Sequence, residues 1–183
     1  MLIYFVFVEI MSNFVLEIFD DESPKCQFYT VRLDGDELSE TDKFLDKFNR
    51  DEHLKPYVQQ LVSFIFDTIG IRNGAINDFF REERKAQALP PPVNVKVEEI
   101  DFGLDFPLRL YCLRLSDSCV ILFNGGEKTS QRAEDGKTSM AFYEANQYAE
   151  KILNLFNSKI IRLNSEQREI VDFYTSEPYN ELI

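Results

Sequence analysis

The sequence predicts an α+β fold in which N-terminal helices and a C-terminal helix pack on an antiparallel sheet. Three observations carry that prediction: short β-prone runs open the chain, two amphipathic helical stretches follow them, and a strand meander then precedes one long helical stretch. With 183 residues and 44% hydrophobic content the chain can bury one substantial core. Residues 1–183 are therefore expected to form a single domain, with a helical insertion at 70–92 and a C-terminal extension at 164–183.

The opening "MLIYFVFVEIM" is apolar, but it lacks a basic flank and carries Glu9, so it is a poor signal peptide and too short to span a bilayer. It reads either as a first strand or as residues placed ahead of a true start at Met11. Phe14 to Phe19 and Cys26 to Leu33 are β-prone runs separated by the polar, Pro24-containing "DDESPK", which predicts a hairpin. Phe44, Leu45 and Phe48, and then Leu54, Val58, Leu61, Val62, Ile65 and Ile69, have helical spacing, with Gly70 as the expected stop.

Ala75 to Ala88 has the mixed charge of a third helix, ended by three prolines. "VNVKVEEIDF" alternates like a strand and is followed by two more, joined by a turn at Ser116 to Ser118. Residues 93 to 124 are thus expected as three consecutive antiparallel strands. The helices at 54–69 and 139–156, with the widest apolar stripes, should cover them. A final short helix is expected from Ser165 to about Tyr174.

The 32 acidic against 20 basic side chains give a net charge of −12, which disfavours generic attraction to phosphate backbones or anionic lipid. Any nucleic-acid role must rest on a local patch. Phe106 to Ala133 is such a place, with Arg109, Arg114, Lys128 and Arg132 against Asp117 and Glu127. Cys26, Cys112 and Cys119 form no metal-binding spacing and read as three reduced, core-type thiols of a cytoplasmic protein. The single histidine, His53, stands in "RDEHLKP" as a surface residue without the partners of a triad.

The order Arg109-Leu110-Tyr111, a short turn, the strand Val120 to Phe123, Gly126-Glu127-Lys128 and then Phe142-Tyr143-Glu144-Ala145 resembles the RelE/HigB-like toxins. These are small ribosome-dependent mRNA endoribonucleases held in check by an antitoxin protein. The motifs cover about a third of the chain, and the preceding helix pair extends the likeness in order. The resemblance implies a RelE-like sheet and a metal-independent, cofactor-free site, with an antitoxin, the ribosome and mRNA as partners and no membrane.

By the same resemblance Arg109 clamps the scissile phosphate, Lys128 supplies charge or a proton near the leaving group, and Tyr143 stacks on a base or joins proton transfer. Strand alternation puts Arg114 on the opposite face from Arg109 and outside the site. Each of the three also has an ordinary reading, as a solvated strand arginine, an exposed loop lysine and a core-edge aromatic. Glu98, Glu99, Asp101 and Asp105 stand where the family usually carries basic residues, and they would repel RNA. That acidity favours the alternative reading, a non-catalytic protein-interaction module on the same scaffold.

Overall fold

A computed structural model describes residues 13–97, 100–128 and 139–183. The expected opening hairpin is present: β1 (Phe14–Asp20) and β2 (Gln27–Leu33) are antiparallel. Ser39 then caps α1 (Glu40–Asn49), its hydroxyl oxygen accepting the Asp42 amide at 3.1 Å, and Phe44 and Phe48 fall on the buried stripe. Pro56 lies in the first turn of α2 (Lys55–Ser63), where its missing N–H leaves no helical bond unmade.

Beyond Ser63 the helix does not stop at Gly70. It widens into a π-helical segment, Phe64–Asn73, and ends at Gly74, whose φ of 79° suits only glycine. A Cβ there would also lie 2.9 Å from the Asp117 carbonyl oxygen, so the segment's end is fitted against the turn between the two central strands.

The expected third helix over 75–88 is replaced by a 3₁₀ turn (Asn77–Phe79) and a hairpin of β3 (Arg81–Glu83) and β4 (Ala86–Leu89). Among the described residues of "VNVKVEEIDF", only an isolated Val97–Ile100 bridge forms in place of the expected strand. Its expected place beside β5 (Leu108–Ser116) is taken by β4. β5 and β6 (Cys119–Glu127) pair antiparallel as expected, with Cys112 opposite Leu122 and Ser116 opposite Cys119.

The sheet has six strands in the order β1-β2-β6-β5-β4-β3. It is mixed rather than antiparallel, because β2 and β6 run parallel in the register Gln27 to Cys119. The helix pair between them makes that possible, since a parallel connection must cross the sheet. These helices follow a hairpin instead of opening the fold, and they cover one face of the sheet.

On that face Phe44, Phe48, Val58, Leu61, Phe64 and Ile69 pack over Phe28, Leu108, Leu110, Cys112, Val120 and Leu122. The other face carries α3 (Ser139–Asn157), where Phe142, Ala145, Tyr148, Ala149 and Ile152 meet Phe14, Tyr29, Tyr111, Leu113, Ile121 and Phe123. With both faces covered, β5 and β6 become continuous apolar runs. Each fully buried aromatic or aliphatic side chain contributes about 1.5–3 kcal/mol.

The last expected helix is instead a hairpin of β7 (Ile161–Leu163) and β8 (Ile170–Asp172). Arg168 ties it to the β1–β2 turn through the carbonyl oxygens of Asp21, Ser23 and Pro24. The carboxyl-terminal Ile183 exchanges two backbone hydrogen bonds with Phe14, which covers the start of the β1 edge. All three cysteines are free and buried, and burial pushes the Cys26 thiol up to about 12 from its ordinary 9.0. No described helix is long and apolar enough to cross a membrane. The apolar opening, Glu98, Glu99 and Arg132 lie outside the described residues.

Candidate functional site

Arg109 is the point from which the site is built. It stands two residues before Tyr111 on β5, opposite in the pleat to the buried Leu108 and Leu110, and so faces the α3 side. The side chain is not solvated as a strand arginine usually is: the residue is only 6% exposed. Its Nη1 donates to the carbonyl oxygens of Leu108 at 2.8 Å and Phe106 at 3.4 Å. Burial first, and then the like charge of Arg81, push its guanidinium down to about 10, with Glu83 and Tyr111 opposing that shift.

Gly126 is the register partner of Arg109, and Lys128 follows it by two residues with its amide bonded to the Pro107 carbonyl at 2.6 Å. The neighbouring Gly125 is obligatory here: an added Cβ would lie 2.1 Å from the Arg109 carbonyl oxygen and 2.7 Å from the Phe44 ring. Helix α1 and the Arg109 main chain are therefore packed closely against Gly125. The Lys128 ammonium is lowered from its ordinary value by burial, then by Arg109 and Arg81, with Asp105 pulling the other way. Arg109 and Lys128 thus share one electrostatic environment.

Arg81 of β3 belongs to that environment, and sequence reasoning missed it because its segment reads as a helix. Its Nε and Nη2 donate to the carbonyl oxygens of Pro90 and Pro91, each at 2.8 Å, and burial lowers its pKa. Among the described residues, none of Arg81, Arg109 and Lys128 forms an ion pair.

Tyr143 is 44% exposed on α3. It lies against Arg84, whose guanidinium carbon is 6.0 Å from the Tyr143 ring centre and 5.2 Å from that of Phe142. The structure therefore brings Arg109 and Lys128 together, while Tyr143 touches the β3–β4 turn and makes no hydrogen bond to either. Asn124, another residue that no motif marks, is buried on β6 with Nδ2 bonded to Glu144. Its Oδ1 has no described partner.

Arg114 lies outside this cluster, as strand alternation requires. It is on the opposite face, bonded through Nε to the Ala75 carbonyl and paired with Asp117. His53 is exposed. Asp101 is exposed ahead of β5, where its carboxylate accepts the Gly103 amide at 2.8 Å. Four surface clefts of 370–590 Å³ are lined elsewhere, three of them around Lys96 and one between α3 and β7. None is lined by Arg109, Lys128 or Tyr143.

Chemically, the cluster can hold an anion. Arg81 and Arg109 lie within range of Glu83 and Lys128 within range of Asp105, so the three cations are partly offset, on a chain whose net charge is −12. Comparison with protein-family models, curated proteins and solved structures finds no match to this chain.

Proposed function

We propose that this chain is the toxin of a toxin–antitoxin system, a ribosome-dependent mRNA endoribonuclease of RelE/HigB type, silenced by an antitoxin protein. The observation that carries the reading is the cationic cluster of the buried Arg109 and the partly exposed Lys128. Buried charge is ordinarily paired, and among the described residues neither cation makes a contact ion pair, Glu83 and Asp105 offsetting them only through space, so an external anion can complete the pairing. The order of helix pair, β5–β6 hairpin, Gly125-Gly126 and α3 supports the same reading.

Cleavage joins the ribose 2′-oxygen to phosphorus and breaks the bond to the 5′-oxygen, leaving a 2′,3′-cyclic phosphate and a 5′-hydroxyl. Arg109 stabilises the charge that grows on the phosphoryl oxygens. Lys128, made more acidic by burial and by its cationic neighbours, gives its proton to the departing 5′-oxygen, while the 2′ proton leaves to solvent. Tyr143, exposed on α3, stacks on a base adjoining the scissile phosphate.

One observation favours a second reading, a non-catalytic protein-interaction module on the same scaffold: Arg109 is almost buried and already bonded to main-chain carbonyls. Regulated expression in a bacterial host separates the two. The toxin reading expects growth arrest together with message cleavage, both lost in Lys128→Gln. Arrest-free expression of folded wild-type protein with intact messages would establish the interaction module instead.

A further inference from the structure

The β3–β4 turn is made by a residue poorly suited to its backbone. Arg84 takes a φ of 66°, in the left-handed region where a Cβ crowds the carbonyl oxygen and where glycine or asparagine fits with less strain. Its support comes from α3. Asn146 Oδ1 accepts the Lys85 and Ala86 amides at 2.7 Å and 3.0 Å, while Asn146 Nδ2 donates to the Phe142 carbonyl oxygen at 2.9 Å. One side chain thus ties the hairpin turn to the helical turn that carries Tyr143.

The strained position sets the exposed Arg84 side chain over two rings. Its guanidinium carbon lies 5.2 Å from the Phe142 ring centre and 6.0 Å from that of Tyr143, and those two rings meet edge to face at 5.3 Å. Phe142 is held in the core at 1% exposure. Tyr143 has no such enclosure, and what bounds its ring is Phe142 and the arginine of the turn. A cation over an aromatic ring is attracted by the ring quadrupole, whatever hydrogen bonds its N–H groups make elsewhere. Glycine would make the same turn with less strain, so an arginine here is explained by what its side chain does.

A tyrosine on an open helix face exchanges between rotamers, and a ring that does so must lose that freedom when a base stacks on it. A ring already held loses less. We infer that Arg84 is a positioning residue, which holds the Tyr143 ring in the orientation that stacks on a nucleobase of single-stranded RNA. This rests on the proposed role of Tyr143 and adds the residue that orients it. Arg84 acts through the ring, so its effect requires both Tyr143 and the base.

Wild type, Arg84→Gly, Tyr143→Ala and the double variant form a double-mutant cycle. The probe is a labelled, fully 2′-O-methylated RNA oligomer, titrated at constant salt. Tyr143→Ala should weaken its binding about tenfold, and so should an abasic position at the stacked base, which leaves the phosphate charge unchanged. Arg84→Gly should weaken binding about threefold when Tyr143 is present and not at all when it is absent. Glycine accepts this backbone, so Arg84→Gly should melt close to wild type, and Arg84→Asn, which also tolerates a positive φ, should behave alike.

Undiminished binding by folded Arg84→Gly and Arg84→Asn overturns the inference. An equal loss with and without Tyr143 also overturns it, because Arg84 would then touch the RNA in its own right. Growth arrest and message cleavage by wild type without the coupling keep the nuclease and remove Arg84 from it. Coupling without arrest or cleavage keeps the positioned ring and removes the nuclease. Wild type that binds no oligomer overturns the inference, and arrest with cleavage then decides the nuclease reading separately.

Discussion

Arg109 separates a functional arginine from a structural one by its effect on stability. Its guanidinium is charged at neutral pH in both the folded and unfolded chain, yet its folded pKa of about 10 lies below the ordinary 12.5. The sign follows from linkage: between those values the unfolded chain binds the extra proton, so stability rises with pH above about 10. Below that, the burdened cation opposes folding. Arg109→Met keeps an apolar stem and removes the charge, so at pH 7 it should leave stability unchanged or raise it by about 1 kcal/mol, as when other buried charges become apolar. Urea denaturation of the two proteins measures this. A loss of more than about 2 kcal/mol would identify Arg109 as a structural support, its bonds to Leu108 and Phe106 outweighing the desolvated charge. The sequence showed that a cation stood in an apolar strand. It could not show burial, because strand alternation does not tell which of the two faces the helix over 139–156 covers.

The β3–β4 hairpin explains why part of the fold was legible and part was not. β1, β2, β5, β6 and the helices announce themselves through local period, caps and turn residues. In "REERKAQA" no glycine or asparagine marks a turn, and the charged residues score as a helix. The turn is made by Arg84 at a φ of 66°. It is held from sixty residues away, where Asn146 Oδ1 on α3 accepts the amides of Lys85 at 2.7 Å and Ala86 at 3.0 Å. Tertiary contact overrides local preference here, and it also hid Arg81 from the site. The β7–β8 hairpin was obscured similarly: Gln167 takes a φ of 59° and Asn164 Oδ1 accepts the amides of Arg168 and Glu169. Asn146→Ala should therefore cost about 2 kcal/mol, since it deprives two backbone donors of their acceptor. Hydrogen exchange should show faster loss of protection at Lys85 and Ala86 than in β5. Unchanged exchange at those amides would mean that the strand pairing alone holds the turn.

At the scale of the whole molecule, the parallel β2–β6 pair joins the opening hairpin to the centre of the sheet, and the two helical layers enclose it. That rigid frame carries a small cationic site in a chain of net charge −12. Charge of the two signs acts over different ranges. At about 0.01 M salt the Debye length is about 30 Å, so an approaching RNA feels the whole acidic molecule, while at about 0.1 M it is about 10 Å and only the nearest charges matter. Contacts within the Arg81–Arg109–Lys128 cluster survive that screening better than the long-range repulsion does. Association of a fully 2′-O-methylated RNA, which cannot be cleaved through its 2′-oxygen, should therefore accelerate between about 0.01 M and about 0.1 M salt. It should slow again toward about 1 M, as the phosphate contacts themselves weaken. Stopped-flow fluorescence of a labelled oligomer reads both limbs. A rate that only falls from the lowest salt upward would show a basic field dominating at long range. Absence of binding at every salt concentration would count against RNA as the ligand, because a local site in an acidic frame has its best access at the intermediate one.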